Sequence, residues 1–153
     1  AHLGGNLLYL YVFGDNIENR LGHVRYLFFY LLTGIIASLT HVVTTQVLGN
    51  SLLIPSLGAS GAISGILGGY LLLFPTRSVH VFLFFTIISV PAILALGFWI
   101  VLQILNGTSA LGGDEAGGVA YSAHIGGFIA GLILIKFFDR EPKVIARPQR
   151  RFF

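Results

Sequence analysis

Apolar residues fall in five long runs separated by short polar connectors. The first run, 1–13, would rise only about 20 Å as a helix, short of the ~30 Å hydrocarbon core of a bilayer. The second, 26–48, is long enough to span. The third covers 58–74, the fourth 79–105, and the fifth extends from about 120 to 138. Pro91 interrupts the fourth run, and a proline inside a helix removes a backbone donor and kinks it. Between the runs lie a polar connector at 14–25, a turn-like link at 49–57, a short break at 75–78 and a Gly-rich loop at 106–119. We find no strand alternation, soluble domain or repeat of about 20 to 50 residues. The expected fold is all-α: a polytopic membrane helix bundle over 1–138 with five transmembrane segments, then a basic tail at 139–153.

Composition supports lipid as the solvent. Charged residues make up 10% of the 153 residues, against roughly 25% in soluble domains, and mean hydropathy is +0.85. The basic pI would suit a nucleic-acid binder, but the nine Lys and Arg residues sit between or after the apolar runs. They read as topology signals, so no nucleic-acid partner is expected. With five spans, Arg20, Arg25, Arg77 and the basic tail all fall on one side. The positive-inside rule makes that side cytoplasmic. The predicted location is a multi-pass integral protein of a plasma membrane, the bacterial inner membrane by preference. Having no cysteine, the chain can form no disulfide, thiolate zinc site or cysteine nucleophile. It starts at Ala1 inside an apolar run, so upstream sequence is expected to be missing.

Orientation assigns depth to the polar side chains. His2 and Asn6 in the first run, Ser60 in the third and His124 in the fifth share the outer part of the bilayer. Polar groups in a membrane are costly and usually face a bundle interior or a water-filled cavity. A serine hydroxyl needs an adjacent base to become a nucleophile, and histidine is the usual one. Ser60 and His124 are therefore the candidate catalytic pair, a dyad, because no carboxylate lies at that depth. The Ser60 backbone N–H at a helix start, Asn6, and His2 one turn away are candidate oxyanion donors. Gly61, Gly65 and Gly69, with Ala123, Gly127 and Gly131, form small-residue stripes that allow close helix approach. A packing face with a hydroxyl or two on it is the plainer reading of the same residues.

Other polar residues compete. His41, beside Thr40, Thr44 and Thr45, reads as an interfacial or hydrogen-bonded histidine. His23 and His80 lie near the cytoplasmic boundary, Ser64 is expected to bond back to its own helix, and Asn106-Gly107 reads as a turn or helix cap despite matching a glycosylation sequon.

These residues resemble the rhomboid intramembrane serine proteases. Gly58-Ala59-Ser60-Gly61 matches the family's G-x-S-G motif, Ala123-His124-Ile125-Gly126-Gly127-Phe128 with Gly131 looks like its histidine segment, and His2-x-x-x-Asn6 resembles its oxyanion pair. Phe13-Gly14, Glu18, Gly22, Tyr30 and Gly34 resemble its second-to-third-helix region. The resemblance implies a six-helix core of which this chain holds the last five. It also implies cleavage of transmembrane protein substrates near the outer membrane face, with no metal and no cofactor. By analogy the fourth run would gate access and the 106–119 loop would cap the site. One departure is Ser64, where many members carry an aromatic residue packed on the histidine. A catalytically inactive rhomboid-like protein that binds membrane-protein clients is the alternative. A small transporter or channel has less support, since no charged residue lines the expected interior.

Overall fold

The computed structural model describes residues 2–48, 59–83, 85–111 and 120–139. The basic tail beyond Asp139, the 49–57 link and most of the 106–119 loop lie outside the described residues. Helix α1, His2–Tyr9, passes through a π-helical turn, Leu10–Gly14, into α2, Asp15–Leu21. Helix α3, His23–Val47, is followed by α4, Ser60–Leu73, strands β1, Ser78–Leu83, and β2, Thr86–Pro91, then α5, Ala92–Leu111, and α6, Tyr121–Phe138.

Three boundaries differ from the sequence reading. The connector expected at 14–25 is helical except at Gly22, whose φ of 80° breaks α2 from α3; only glycine adopts that conformation without strain. At the other end of the chain's middle, α5 continues to Leu111, so Asn106 and Gly107 lie within a helix and do not cap one. The largest correction concerns 79–105, read as one kinked helix. Its first half is an antiparallel hairpin in which Val79 pairs with Val90 and Val81 with Ile88. Those β-branched residues suit a pleated surface, and Val79, Val81 and Val90 face the core while His80 and Ser89 face out. Pro91 ends the second strand, so its missing N–H costs no helical bond. Backbone bonds from Ala92 to the Arg77 carbonyl and from Ile93 to the Pro75 carbonyl then fix the start of α5.

Helix α4 is the axis of the bundle: every residue from Gly61 to Tyr70 is buried. It packs most extensively against α6 and α3. A Cβ on Gly127 would fall on the Gly61 carbonyl, one on Gly131 on the Gly65 carbonyl, and one on Gly68 on the Phe128 carbonyl. The two backbones thus touch without side chains between them, as small-xxx-small stripes permit. Toward the far end of α4 the core turns aromatic. Tyr70 meets Phe13 edge-on at 5.0 Å, and Phe29 meets Phe138 at 5.6 Å. The outer faces remain apolar: Leu27, Phe28, Leu31, Ile35 and Leu39 of α3 are all exposed. By length and composition, α3 and α6 are both able to cross a membrane.

The charged end is stapled. Arg20 makes a bidentate pair with Asp139 at 2.6 and 3.1 Å, Arg77 donates to Asn16, and the His23 ring meets Glu18 at 2.7 Å. These contacts tie α2 to the end of α6 and to the turn after α4. They leave the opposite end, where α4 begins, to the polar cluster described next.

Candidate active site

Ser60 is the first residue of α4 and His124 lies in the first turn of α6. The contact between the two glycine faces sets the distance between them. Gly61 follows the serine, Gly127 lies three residues past the histidine, and those two backbones are in contact. As a result, His124 Nε2 stands 2.9 Å from Ser60 Oγ. The other ring nitrogen, Nδ1, is 2.7 Å from Oε1 of Gln103 on α5. Trp99, one turn earlier on α5, lies against the imidazole with ring centroids 5.9 Å apart and planes tilted by 37°. It also touches Phe128 at 6.1 Å, so its own position is held by α6.

A cavity of about 230 Å³ opens onto this pair. His2, Gly5, Asn6 and Tyr9 of α1 line it, with Ser60, Ile63, Ser64 and Leu67 of α4, Trp99 of α5 and His124 of α6. The structure therefore places all four sequence-derived candidates, His2, Asn6, Ser60 and His124, around one space. His2 is exposed and Asn6 half-buried. Backbone N–H groups in the first turn of a helix have no acceptor four residues back, and the helix dipole there favours negative charge. The start of α4 thus offers donors at the serine itself. Among the described residues, no carboxylate lines the cavity.

The competing polar residues have simpler places. Ser64 is buried and donates to the Ser60 carbonyl at 2.7 Å, the back-bond expected of it. His41 Nδ1 lies 3.0 Å from Ser122 Oγ, which joins α3 to the start of α6 outside the cavity lining. His23 and His80 are exposed.

Sequence reasoning missed Trp99 and Gln103. A usable signal existed: they are the only hydrogen-bonding side chains between Ala92 and Leu105, and they sit four residues apart on one helical face. An amide inside an apolar helix is costly enough to call for a partner. Trp99 also answers the departure at Ser64, because the aromatic surface against the histidine comes from α5 instead of α4.

A hydroxyl in contact with an imidazole at the start of a buried helix, inside a bundle whose outer faces are apolar, fits a membrane-type helical protein. The chain belongs to the rhomboid family: the Rhomboid domain model matches residues 1–140. It is 32% identical over 133 residues to "Rhomboid protein 1, mitochondrial" of Saccharomyces cerevisiae, covering 86% of this chain and 36% of that protein. It is 34% identical over 124 residues to "Rhomboid protease GluP" of Bacillus subtilis, covering 80% and 23% respectively. "Rhomboid-like protein 11, chloroplastic" of Arabidopsis thaliana is 30% identical over 149 residues, covering 92% and 49%. The chain thus spans less than half the length of the curated relatives it matches. No solved structure matches it. Family membership implies a membrane helical bundle.

Proposed function

We propose that this chain carries the catalytic core of an intramembrane serine endopeptidase that cuts transmembrane protein substrates. The observation that carries this reading is the 2.9 Å contact between His124 Nε2 and Ser60 Oγ at the start of a buried helix. In the first step Ser60 Oγ attacks the scissile carbonyl as its proton passes to Nε2. The carbonyl oxygen becomes an oxyanion, met by the Ser60 N–H, Asn6 and His2. Collapse of the tetrahedral adduct breaks the C–N bond, and Nε2 returns the proton to the leaving amine. Water, deprotonated by the same nitrogen, then attacks the acyl-serine and frees the second product with Ser60 restored.

Depth supports a substrate held in lipid. The fourteen residues of α4 rise about 21 Å, roughly 10 Å less than a ~30 Å hydrocarbon core. With Arg77 at the charged boundary, Ser60 lies beneath the opposite face by about that difference. On this reading the chain is a multi-pass protein of a plasma membrane with the tail at 139–153 cytoplasmic. Cleavage then occurs near the outer face, and no cofactor or metal takes part. The inactive, client-binding alternative drew on Ser64 and on the expected absence of the first helix. Trp99 argues against it by supplying the missing aromatic contact.

Labelling of the full-length protein by a fluorophosphonate probe, alongside cleavage of a reconstituted transmembrane substrate, tests the proposal. Wild type should react with both, and Ser60→Ala and His124→Ala with neither. Normal cleavage by Ser60→Ala would overturn it.

A further inference from the structure

We infer that Gln103 is a positioning residue that fixes the tautomer of His124, so that the dyad works as a neutral Ser–His–amide relay. This rests on the protease reading above and adds to it a residue that nothing in the G-x-S-G or histidine motifs contains.

The proton count carries the inference. The amide oxygen stands 2.7 Å from Nδ1, and the two form a hydrogen bond when that nitrogen holds the ring proton and donates it to Oε1. A neutral imidazole then has a bare lone pair on Nε2, the atom 2.9 Å from Ser60 Oγ. The serine O–H donates to that lone pair, which is the arrangement a general base requires. In the other tautomer Nε2 would carry hydrogen and could not accept the serine proton. Which ring nitrogen is protonated is set by the hydrogen bond the other nitrogen makes. Gln103 makes that bond, and Trp99 four residues earlier on the same helix lies against the ring face. Two residues of α5 thus fix both the rotation and the protonation of a base carried by α6.

The choice of an amide has a physical reason. A carboxylate at this depth would need its own counter-charge or hydration, and an intramembrane ion is expensive. An amide accepts the same hydrogen bond without charge. What it forgoes is Coulombic stabilisation of the imidazolium formed during attack, which a triad aspartate supplies. Among the described residues, the titratable groups facing the ring are His2 and Tyr9 from α1. His41 of α3 reaches the start of α6 through Ser122. None of these carries a carboxylate.

The test compares Gln103→Met, close in size and unable to accept the ring proton strongly, with Gln103→Glu, which accepts it and adds charge. Both are made in the full-length protein, with wild type and His124→Ala alongside. Gln103→Met should remain folded by circular dichroism, keep its KM and lose kcat by roughly 10- to 100-fold. That is part of the 10²–10⁴ a positioned base provides. Gln103→Glu should recover most of that loss, and the acidic limb of its pH–rate profile should move to higher pH, because a carboxylate stabilises the protonated ring. Independently of activity, ¹⁵N spectra of labelled histidine, assigned with His124→Ala, should show Nδ1 protonated in wild type and tautomer mixing in Gln103→Met. Wild-type kcat and pH profile in Gln103→Met, or a wild-type ring protonated at Nε2, would overturn the inference while leaving the protease reading intact. If Ser60 proves unreactive yet the spectra change as expected, the protease reading fails and the positioning role of Gln103 stands.

Discussion

Gly127→Ala is the substitution that most directly probes how packing creates the site. An added methyl at Gly127 meets the Gly61 carbonyl and, at 3.3 Å, the Cβ of Ala37. Backbone cannot rotate away as a long side chain would. Bringing the new Cβ–carbonyl contact out to the 3.0 Å that real Cβ atoms respect requires α4 and α6 to part by roughly 1 Å, since close-packed interiors leave no slack. Gly61 follows Ser60, and Gly127 is one turn from His124, so the displacement passes to the dyad almost undiminished. A 2.9 Å contact stretched by that amount exceeds hydrogen-bonding distance. The expected outcome is a kcat about 10²-fold lower, the usual consequence of such a misplacement. An overpacking cost of about 1–3 kcal/mol should accompany it. Thermal unfolding in detergent measures the second effect, and the rate of fluorophosphonate labelling measures the first. Gly97→Ala is the control: nothing lies within 4 Å of its added methyl, so activity should hold and helix stability rise by up to ~1 kcal/mol. A folded Gly127→Ala protein with wild-type labelling would refute the reasoning. Equal loss in Gly97→Ala would also refute it, because flexibility and not space would then be the glycines' contribution.

Two further outcomes follow. Asn6→Ala should lower kcat by about 10²–10³-fold with little change in KM, because it removes a donor that acts on the oxyanion and not on the bound substrate; steady-state kinetics would check this. Asp139→Asn removes the charge opposite Arg20 in a partly exposed pair, so thermal unfolding should register only about 0.2–1 kcal/mol and activity should be unchanged.

The small-residue stripes were legible because their consequence is local: spacing by four on two helices means two faces that can touch, and Gly61, Gly65, Gly127 and Gly131 do touch. The gathering of Ser60, His124, His2 and Asn6 followed from charge-derived depth. The hairpin was hidden because hydropathy alone cannot distinguish a buried strand from a short membrane helix. The pairing of Val79 with Val90 and of Val81 with Ile88 depends on partners that a single run does not display. Pro91 was read as a kink inside a helix, whereas it marks the junction of two elements. Gln103 and Trp99 were missed for a different reason. The contacts that mark them out are with α6, and no local motif surrounds them. A lone amide in an apolar stretch was the available clue.

Hydrogen-bond direction separates the candidate site from the other polar residues of the bundle more sharply than depth does. Ser38, Thr40, Thr44, Thr45 and Ser64 each donate to a carbonyl four residues back in their own helix. Such bonds make a hydroxyl tolerable in lipid and consume the hydrogen a nucleophile would need. Ser60 stands at a helix start, where no carbonyl lies one turn behind it in the same helix, so its hydroxyl is left for His124. The same logic applies to Ser122, near the start of α6, which turns to His41. That second pair shares the atoms of the first but not its setting: it does not line the cavity, and neither Trp99 nor Gln103 attends its ring. A serine and a histidine in contact are therefore not what sets the site apart. Ser60 and His124 differ in lining a space with room for a carbonyl and in having a partner at the far ring nitrogen.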